Sequence, residues 1–244
     1  MRIKLVLSYD GTDFCGWQKQ KNGVSVQGTV EAAIFSLTGE KVTVTASGRT
    51  DAGVHAKGQV ANFDTNANIP PEKFYKALNT FLPESVKALS SEKVNDSFNA
   101  RKDAKRKTYE YSLYLSDVEQ PLKERYGTRV YGELDLEKMR SAAHLLEGEH
   151  DFKAFSATGG SVKTTVRTVY GVSVEKTGED IKIRVTGSGF LYNMVRIIAG
   201  ALVKAGKGEI SESDIIKALE TGERDLLGET LPAKGLCLKK VEYV

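Results

Sequence analysis

Cysteine is almost missing from this sequence. Only Cys15 and Cys237 occur, far apart and in no metal-binding spacing, so no disulfide framework is expected and a reducing compartment, the cytoplasm, fits the chain better. Charge of a single sign is equally scarce. Lys and Arg number 35 against 32 Asp and Glu, and the resulting net charge of +3 exerts no general pull on a polyanion; any such pull must come from local clustering. Long apolar runs are absent too. The longest, Met194–Val203, is broken by Arg196 and falls short of a membrane span. The opening M-R-I-K-L-V-L-S-Y-D is too short and too interrupted for a signal peptide, so a soluble cytoplasmic protein with no membrane partner is expected. No G-x-S-x-G nucleophile elbow is found, and Cys15 has no evident base beside it.

What is present is a globular chain with two folding cores' worth of material. Its 244 residues are 40% apolar and 27% charged, enough for one large domain or two of ordinary size. Residues 2–9 alternate, with Ile3, Leu5, Leu7 and Tyr9 on one face of a strand. A loop through G-W-Q (16–18) leads to a helix over 26–38, stopped by Gly39. Short strands are expected at 42–46 and 58–64, a helix over 70–83 with Phe74, Leu78, Phe81 and Leu82 inward, and a strand at 86–94. The order β-α-β-β-α-β is that of a ferredoxin-like unit.

The same order runs again. Tyr109, Tyr111, Leu113 and Leu115 share a face of a strand over 107–115, and Met139, Ala142, Ala143 and Leu146 a face of a helix over 135–147. Strands at 166–176 and 181–187 flank the turn T-G-E-D. Helices follow at 190–205 and 211–221, the latter with a Ser211–Asp214 capping box and Gly222 past its end, and residues 235–243 close the set. The expected fold is α+β: two ferredoxin-like halves, 1–104 and 105–244, with antiparallel sheets around a central catalytic cleft.

Four stretches could carry chemistry. In A-S-G-R-T-D-A-G-V-H-A (46–56), Asp51 is either a turn aspartate bonding neighbouring amides or a carboxylate presented at a loop tip as nucleophile or base. His55 could ligate a metal with Asp51, as in a metal-dependent hydrolase, but a third ligand is missing nearby: His144 and His150 lie far along the chain beside glutamates. Packing or hydrogen bonding at a strand start suits His55 better. In R-K-D-A-K-R-K-T-Y-E-Y (101–111), five of residues 101–107 are basic. That run is either a solvated linker or a phosphate-tracking patch leading to the Tyr109 and Tyr111 platform. In S-G-F-L-Y-N-M-V-R-I-I-A-G (188–200), Arg196 interrupts an apolar helix. It either pairs with an acid or anion, with small Ala199 and Gly200 leaving space beside it, or snorkels to the surface.

Taken together, these residues resemble the tRNA pseudouridine synthase A family. The likeness rests on G-R-T-D-A-G-V-H-A (48–56), Y-D-G-T-x-F-x-G-W-Q (9–18), V-Q-G-T-V-E (26–31), R-K-T-Y-E-Y (106–111), H-D-F (150–152), G-F-L-Y-N-M-V-R-I-I-A-G (189–200) and P-A-K-G-L (232–236). These motifs stand in family order along essentially the whole chain. The resemblance implies an isomerase converting uridine to pseudouridine around positions 38–40 of the tRNA anticodon stem-loop. It further implies a homodimer gripping tRNA, with no cofactor and no metal. Asp51 is then similar to the single catalytic aspartate and Arg196 to the arginine that ion-pairs with it. Tyr109 resembles the tyrosine packed on the target base, Arg49 the residue that helps displace that nucleotide, and Leu236 the apolar lining of the uracil pocket. A non-catalytic RNA-binding protein built of two ferredoxin-like sheets is the alternative of a different class.

Overall fold

Strand β1 (Arg2–Tyr9) alternates buried and half-buried residues down its whole length, with Ile3, Leu5, Leu7 and Tyr9 inward. A strand patterned this way needs a neighbour on each edge and an apolar layer beneath it. The computed structural model, which describes residues 1–21, 23–159 and 162–243, supplies both. Helix α1 (Val26–Thr38) is capped by the Ser25 side chain, which accepts from the Gly28 amide, and it ends at Gly39 in the left-handed region. It buries Val26, Val30, Ala33 and Ile34. Strands β2 (Thr45–Ala46) and β3 (His55–Asp64), helix α2 (Phe74–Leu78) and strand β4 (Val86–Val94) complete the run. β1 lies between β3 and β4, antiparallel to both, and β2 pairs antiparallel with β3.

Two expectations for this region need correcting. The strand expected over 42–46 shrinks to two residues because the Val44 amide donates to the Glu31 carboxylate on α1 instead of to a neighbouring strand. The helix expected over 70–83 is a 3₁₀ turn, Pro71–Lys73, followed by the short α2. The Asn79 side chain bonds both the amide and the carbonyl of Ala88, drawing the chain out of the helix. Phe74, Leu78 and Leu82 are buried as expected, whereas Phe81 is 47% exposed.

The second run begins with β5 (Arg106–Leu115), followed by α3 (Pro121–Glu124), β6 (Thr128–Val130), α4 (Leu136–His144), β7 (Gly148–Asp151), β8 (Val166–Thr177), β9 (Asp180–Gly187), α5 (Met194–Lys207) and α6 (Glu212–Thr221). Here β9 lies between β5 and β8, antiparallel to each; β7 pairs antiparallel with β8 and β6 parallel with β5. Tyr109 stands opposite Val185 and Tyr111 opposite Ile183, so their side chains share the buried face with Leu113. The α6 capping box and its Gly222 stop are present as expected. α5 begins at Met194 and not at 190, because Asn193 has φ 60°, which no helical residue adopts.

The last strand, β10 (Leu236–Glu242), pairs in parallel with β3 through Cys237↔His55 and Leu238↔Ala56. The chain therefore divides into one unit of Met1–Lys105 with Cys237–Val244 and a second of Arg106–Leu236. The sequence had placed 105–244 wholly in the second half. The difference arises because β10 is claimed by long-range pairing, to which local periodicity is blind. The fold is α+β with mostly antiparallel pairing, and among the described residues no helix is long and apolar enough to cross a membrane.

Candidate active site

The loop between β2 and β3 carries Arg49 and Asp51, the first exposed and the second half-buried. What holds it is buried and polar. Ser47 and Gln59 are fully inaccessible, and Tyr9 and Thr50 nearly so. The Ser47 hydroxyl donates to Gln59 Oε1 at 2.7 Å, while Gln59 Nε2 donates to the Gly48 carbonyl at 3.0 Å and to the Tyr9 hydroxyl at 3.4 Å. Tyr9 Oη lies 2.8 Å from Thr50 Oγ1. Burial pushes the Tyr9 phenol up, so it stays protonated as a donor.

From the other side the G-W-Q segment closes on the same loop. The Trp17 amide donates to the Thr50 carbonyl, and the Trp17 ring packs beside Tyr9 with centroids 6.1 Å apart. Gly16 has φ +104°, and a Cβ there would stand 2.7 Å from the Thr50 carbonyl oxygen, so only glycine fits. The loop's far end is pinned in the same manner. Nδ1 of buried His55 lies 3.0 Å from the Gly11 amide and 3.1 Å from Asp10 Oδ1. A Cβ on Gly11 would meet the Val54 carbonyl oxygen at 2.1 Å. The motif Y-D-G-T-x-F-x-G-W-Q is thus the cradle of the signature loop. His55 serves as the strand-start hydrogen-bonding residue that its position suggested.

In the second unit, Tyr109 is buried on β5 and meets the edge of Phe190 at 5.3 Å and 89°. Two residues on, the buried Tyr111 hydroxyl reaches Thr128 Oγ1 and the Pro232 carbonyl, each at 2.7 Å. Burial raises the Tyr111 pKa, opposed by its bond to Thr128 and by the nearby Arg196 charge. Arg196, half-buried on α5, donates from Nε to the Leu231 carbonyl at 2.6 Å and from Nη1 to Asn193 Oδ1 at 2.8 Å. The space expected beside Ala199 and Gly200 is occupied: a Cβ on Gly200 would meet the Glu229 carbonyl oxygen at 2.3 Å. That close approach is what brings Leu231 within reach of Arg196. Leu236 is buried just after Gly235, and a Cβ on Gly235 would strike the Tyr111 ring at 2.6 Å. Arg196, Tyr111 and Leu236 are accordingly grouped about one segment, 229–236, with Tyr109 beside them on β5.

Other expected residues fall elsewhere. His150 Nε2 is 2.8 Å from the Glu147 carbonyl oxygen, and His144 faces the Glu147 carboxylate at 3.5 Å. Among the described residues no three of His, Cys, Asp or Glu are placed to hold a metal ion. Arg101, Lys102, Lys105 and Arg106 are exposed, and the Arg106 guanidinium lies over the Tyr170 ring at 4.7 Å. Residues that sequence reasoning passed over are Ser47, Thr50 and Gln59. Uncharged polar residues close in sequence to Arg49, Asp51 and Lys57, they carry no signal that alternation alone can interpret.

The first unit thus presents a loop-borne acid over a buried polar cradle, and the second, by itself, groups a half-buried helix arginine with buried tyrosines. The family whose model matches residues 5–118 and 142–244 is that of tRNA pseudouridine synthase, and the chain belongs to it. Members isomerise uridine in tRNA to pseudouridine, and this chain is such an isomerase. Its relatives include tRNA pseudouridine synthase A of Brevibacillus brevis, 47% identical over 242 residues, and that of Clostridium acetobutylicum, 46% identical over 242. The tRNA pseudouridine synthase A of Acetivibrio thermocellus is 47% identical over 241 residues. In each case 99% of both chains is covered. Among solved structures, the archaeal box H/ACA sRNP Nop10-Cbf5 complex aligns at TM-score 0.40 and 14% identity, over 95% of this chain and 58% of that one, too loosely to place a residue.

Proposed function

We propose that the chain modifies uridines around positions 38–40 of the tRNA anticodon stem-loop, acting in the cytoplasm as a homodimer that grips one tRNA. The reaction breaks the N1–C1′ bond, turns the uracil and joins C5 to C1′; N1 gains a proton and C5 loses one to solvent. Nothing is oxidised, and no phosphate moves. Asp51 is the catalytic carboxylate, either attacking the nucleoside or removing a proton from it. Arg49, exposed one step before Thr50, helps extrude the target nucleotide, since a base within a stem must be flipped before it can be turned. Tyr109 packs on the flipped base, Leu236 lines its pocket, and Arg196 favours the ionised form of the Asp51 carboxylate.

The observation that carries this reading is the buried polar cradle under Arg49 and Asp51, because a loop that only turned the chain would need no such anchoring. The antiparallel pairing of β1 with β4 and β3, and of β3 with β2, supports a ferredoxin-like half beneath that loop, to which β10 adds a parallel strand beside β3. The test is Asp51→Asn, assayed for tritium release from C5-labelled tRNA and separately for tRNA binding. Loss of release with retained binding is expected. Unchanged release removes Asp51 from the chemistry.

A further inference from the structure

The buried residues around the signature loop do more than the family chemistry asks of them. Tyr9, Ser47, Thr50 and Gln59 are all nearly or fully inaccessible, and none is required to reach a substrate. Yet each spends its polar atoms on the loop that presents Arg49 and Asp51. Gln59 sits at the centre. Its carboxamide oxygen takes the Ser47 hydroxyl, and its nitrogen gives to the Gly48 carbonyl and toward the Tyr9 hydroxyl. Tyr9 passes the connection to Thr50, immediately before Asp51, at 2.8 Å. The chain of contacts therefore grips the loop on both sides of Arg49 and reaches the residue just before Asp51.

We infer that Tyr9, Thr50 and Gln59 are positioning residues, which set the placement of the Asp51 carboxylate through the Thr50 peptide; the inference rests on Asp51 being the acting group. Three features separate this from ordinary core satisfaction. The Thr50 side chain is tied to Tyr9 while its carbonyl is tied to the Trp17 amide, so its peptide is held from two directions. The contacts at Gly11 and Gly16 leave the loop no room to relax, since a single added carbon at either would collide with loop backbone. Finally, Gln59 lies on a β-strand in mid-sheet, which gives the network a rigid base. A carboxylate displaced by even ~1 Å loses about 10²-fold in rate without losing its ligand.

The experiment compares Tyr9→Phe, Thr50→Val and Thr50→Ser with the unaltered protein, using single-turnover tritium release at saturating enzyme, tRNA affinity and melting temperature. Tyr9→Phe and Thr50→Val keep shape and lose the hydroxyl bond, so the turnover rate is expected to fall about 10- to 100-fold, with tRNA affinity unchanged. Thr50→Ser keeps the hydroxyl and is expected to restore most of the rate. A role in stability alone would lower the melting temperature of the first two and leave their rates intact at temperatures where they are folded; that result overturns the inference, as does a Thr50→Ser rate no better than that of Thr50→Val. Asp51→Ala is run alongside. If it still releases tritium, the catalytic assignment of Asp51 fails and this inference with it. If it is inactive while Tyr9→Phe and Thr50→Val turn over normally, only the positioning role is lost.

Discussion

Arg196 makes two bonds that only a guanidinium can make together. Its Nε faces the Leu231 carbonyl and its Nη1 the Asn193 side chain, one on either side of the helix start. A lysine keeps the charge, but its three donors sit on one compact nitrogen and lack the planar fork that spans the two acceptors. Arg196→Lys is accordingly expected to lower single-turnover tritium release by about 10²-fold, with melting temperature changed little; near-normal turnover would count against any catalytic part for this residue. Tyr111 presents the opposite case. Its hydroxyl serves Thr128 and the Pro232 carbonyl, so Tyr111→Phe leaves the buried Thr128 hydroxyl short of a partner and removes the tie to the Pro232 segment. A stability loss of roughly 1–3 kcal/mol is expected in urea denaturation.

At the scale of elements, helix α5 is fitted to its neighbour by a missing side chain. Gly200→Ala would drive a methyl group into the Glu229 carbonyl and displace the segment that holds Arg196. The expected outcome is a loss of about 1–3 kcal/mol with a drop in activity, whereas Ser211→Ala at the α6 cap is expected to cost ~1 kcal/mol and leave the rate alone. Paired melting and turnover measurements separate the two. Elements of this kind were readable where the chain announces its own ends: Ser25 and Gly39 around α1, Ser211 and Gly222 around α6. They were misread where a side chain from afar decides. Glu31 takes the Val44 amide and Asn79 takes Ala88; the start of α5 was misread for a different reason, the left-handed backbone of Asn193. The short α3, β6 and β7 carry too few residues for any period to show. The candidates for the site were nameable from the motifs. Its cradle was not, because Ser47, Thr50 and Gln59 acquire meaning only once Tyr9 and Trp17 are folded against them.

At the scale of the molecule, acid should find one weak point early. The Lys234 ammonium, and after it the Tyr114 hydroxyl, hold the Glu124 carboxyl below its ordinary value against a smaller opposing effect of burial. A carboxylate with a depressed folded pKa contributes stability that is fully present above its unfolded pKa, roughly 4–5. That contribution drains away as pH falls through the folded value. Wild-type melting temperature is therefore expected to fall more steeply below this range than that of Glu124→Gln, and parallel curves would show that the pair contributes nothing. Binding of tRNA, by contrast, is expected to weaken steadily with salt, because exposed Arg101, Lys102, Lys105 and Arg106 can act on phosphates only through screened charge.

The parallel partnership of β10 with β3 has a temporal side. During synthesis, everything from Arg106 to Leu236 must leave the ribosome before the strand that lies along His55 and Ala56 exists at all. The segment bearing Asp51 therefore spends more than half of the chain's birth with one flank of its strand uncovered, open to the wrong neighbour. The arrival of β10, not the completion of the first hundred residues, is what turns the N-terminal portion into a finished object.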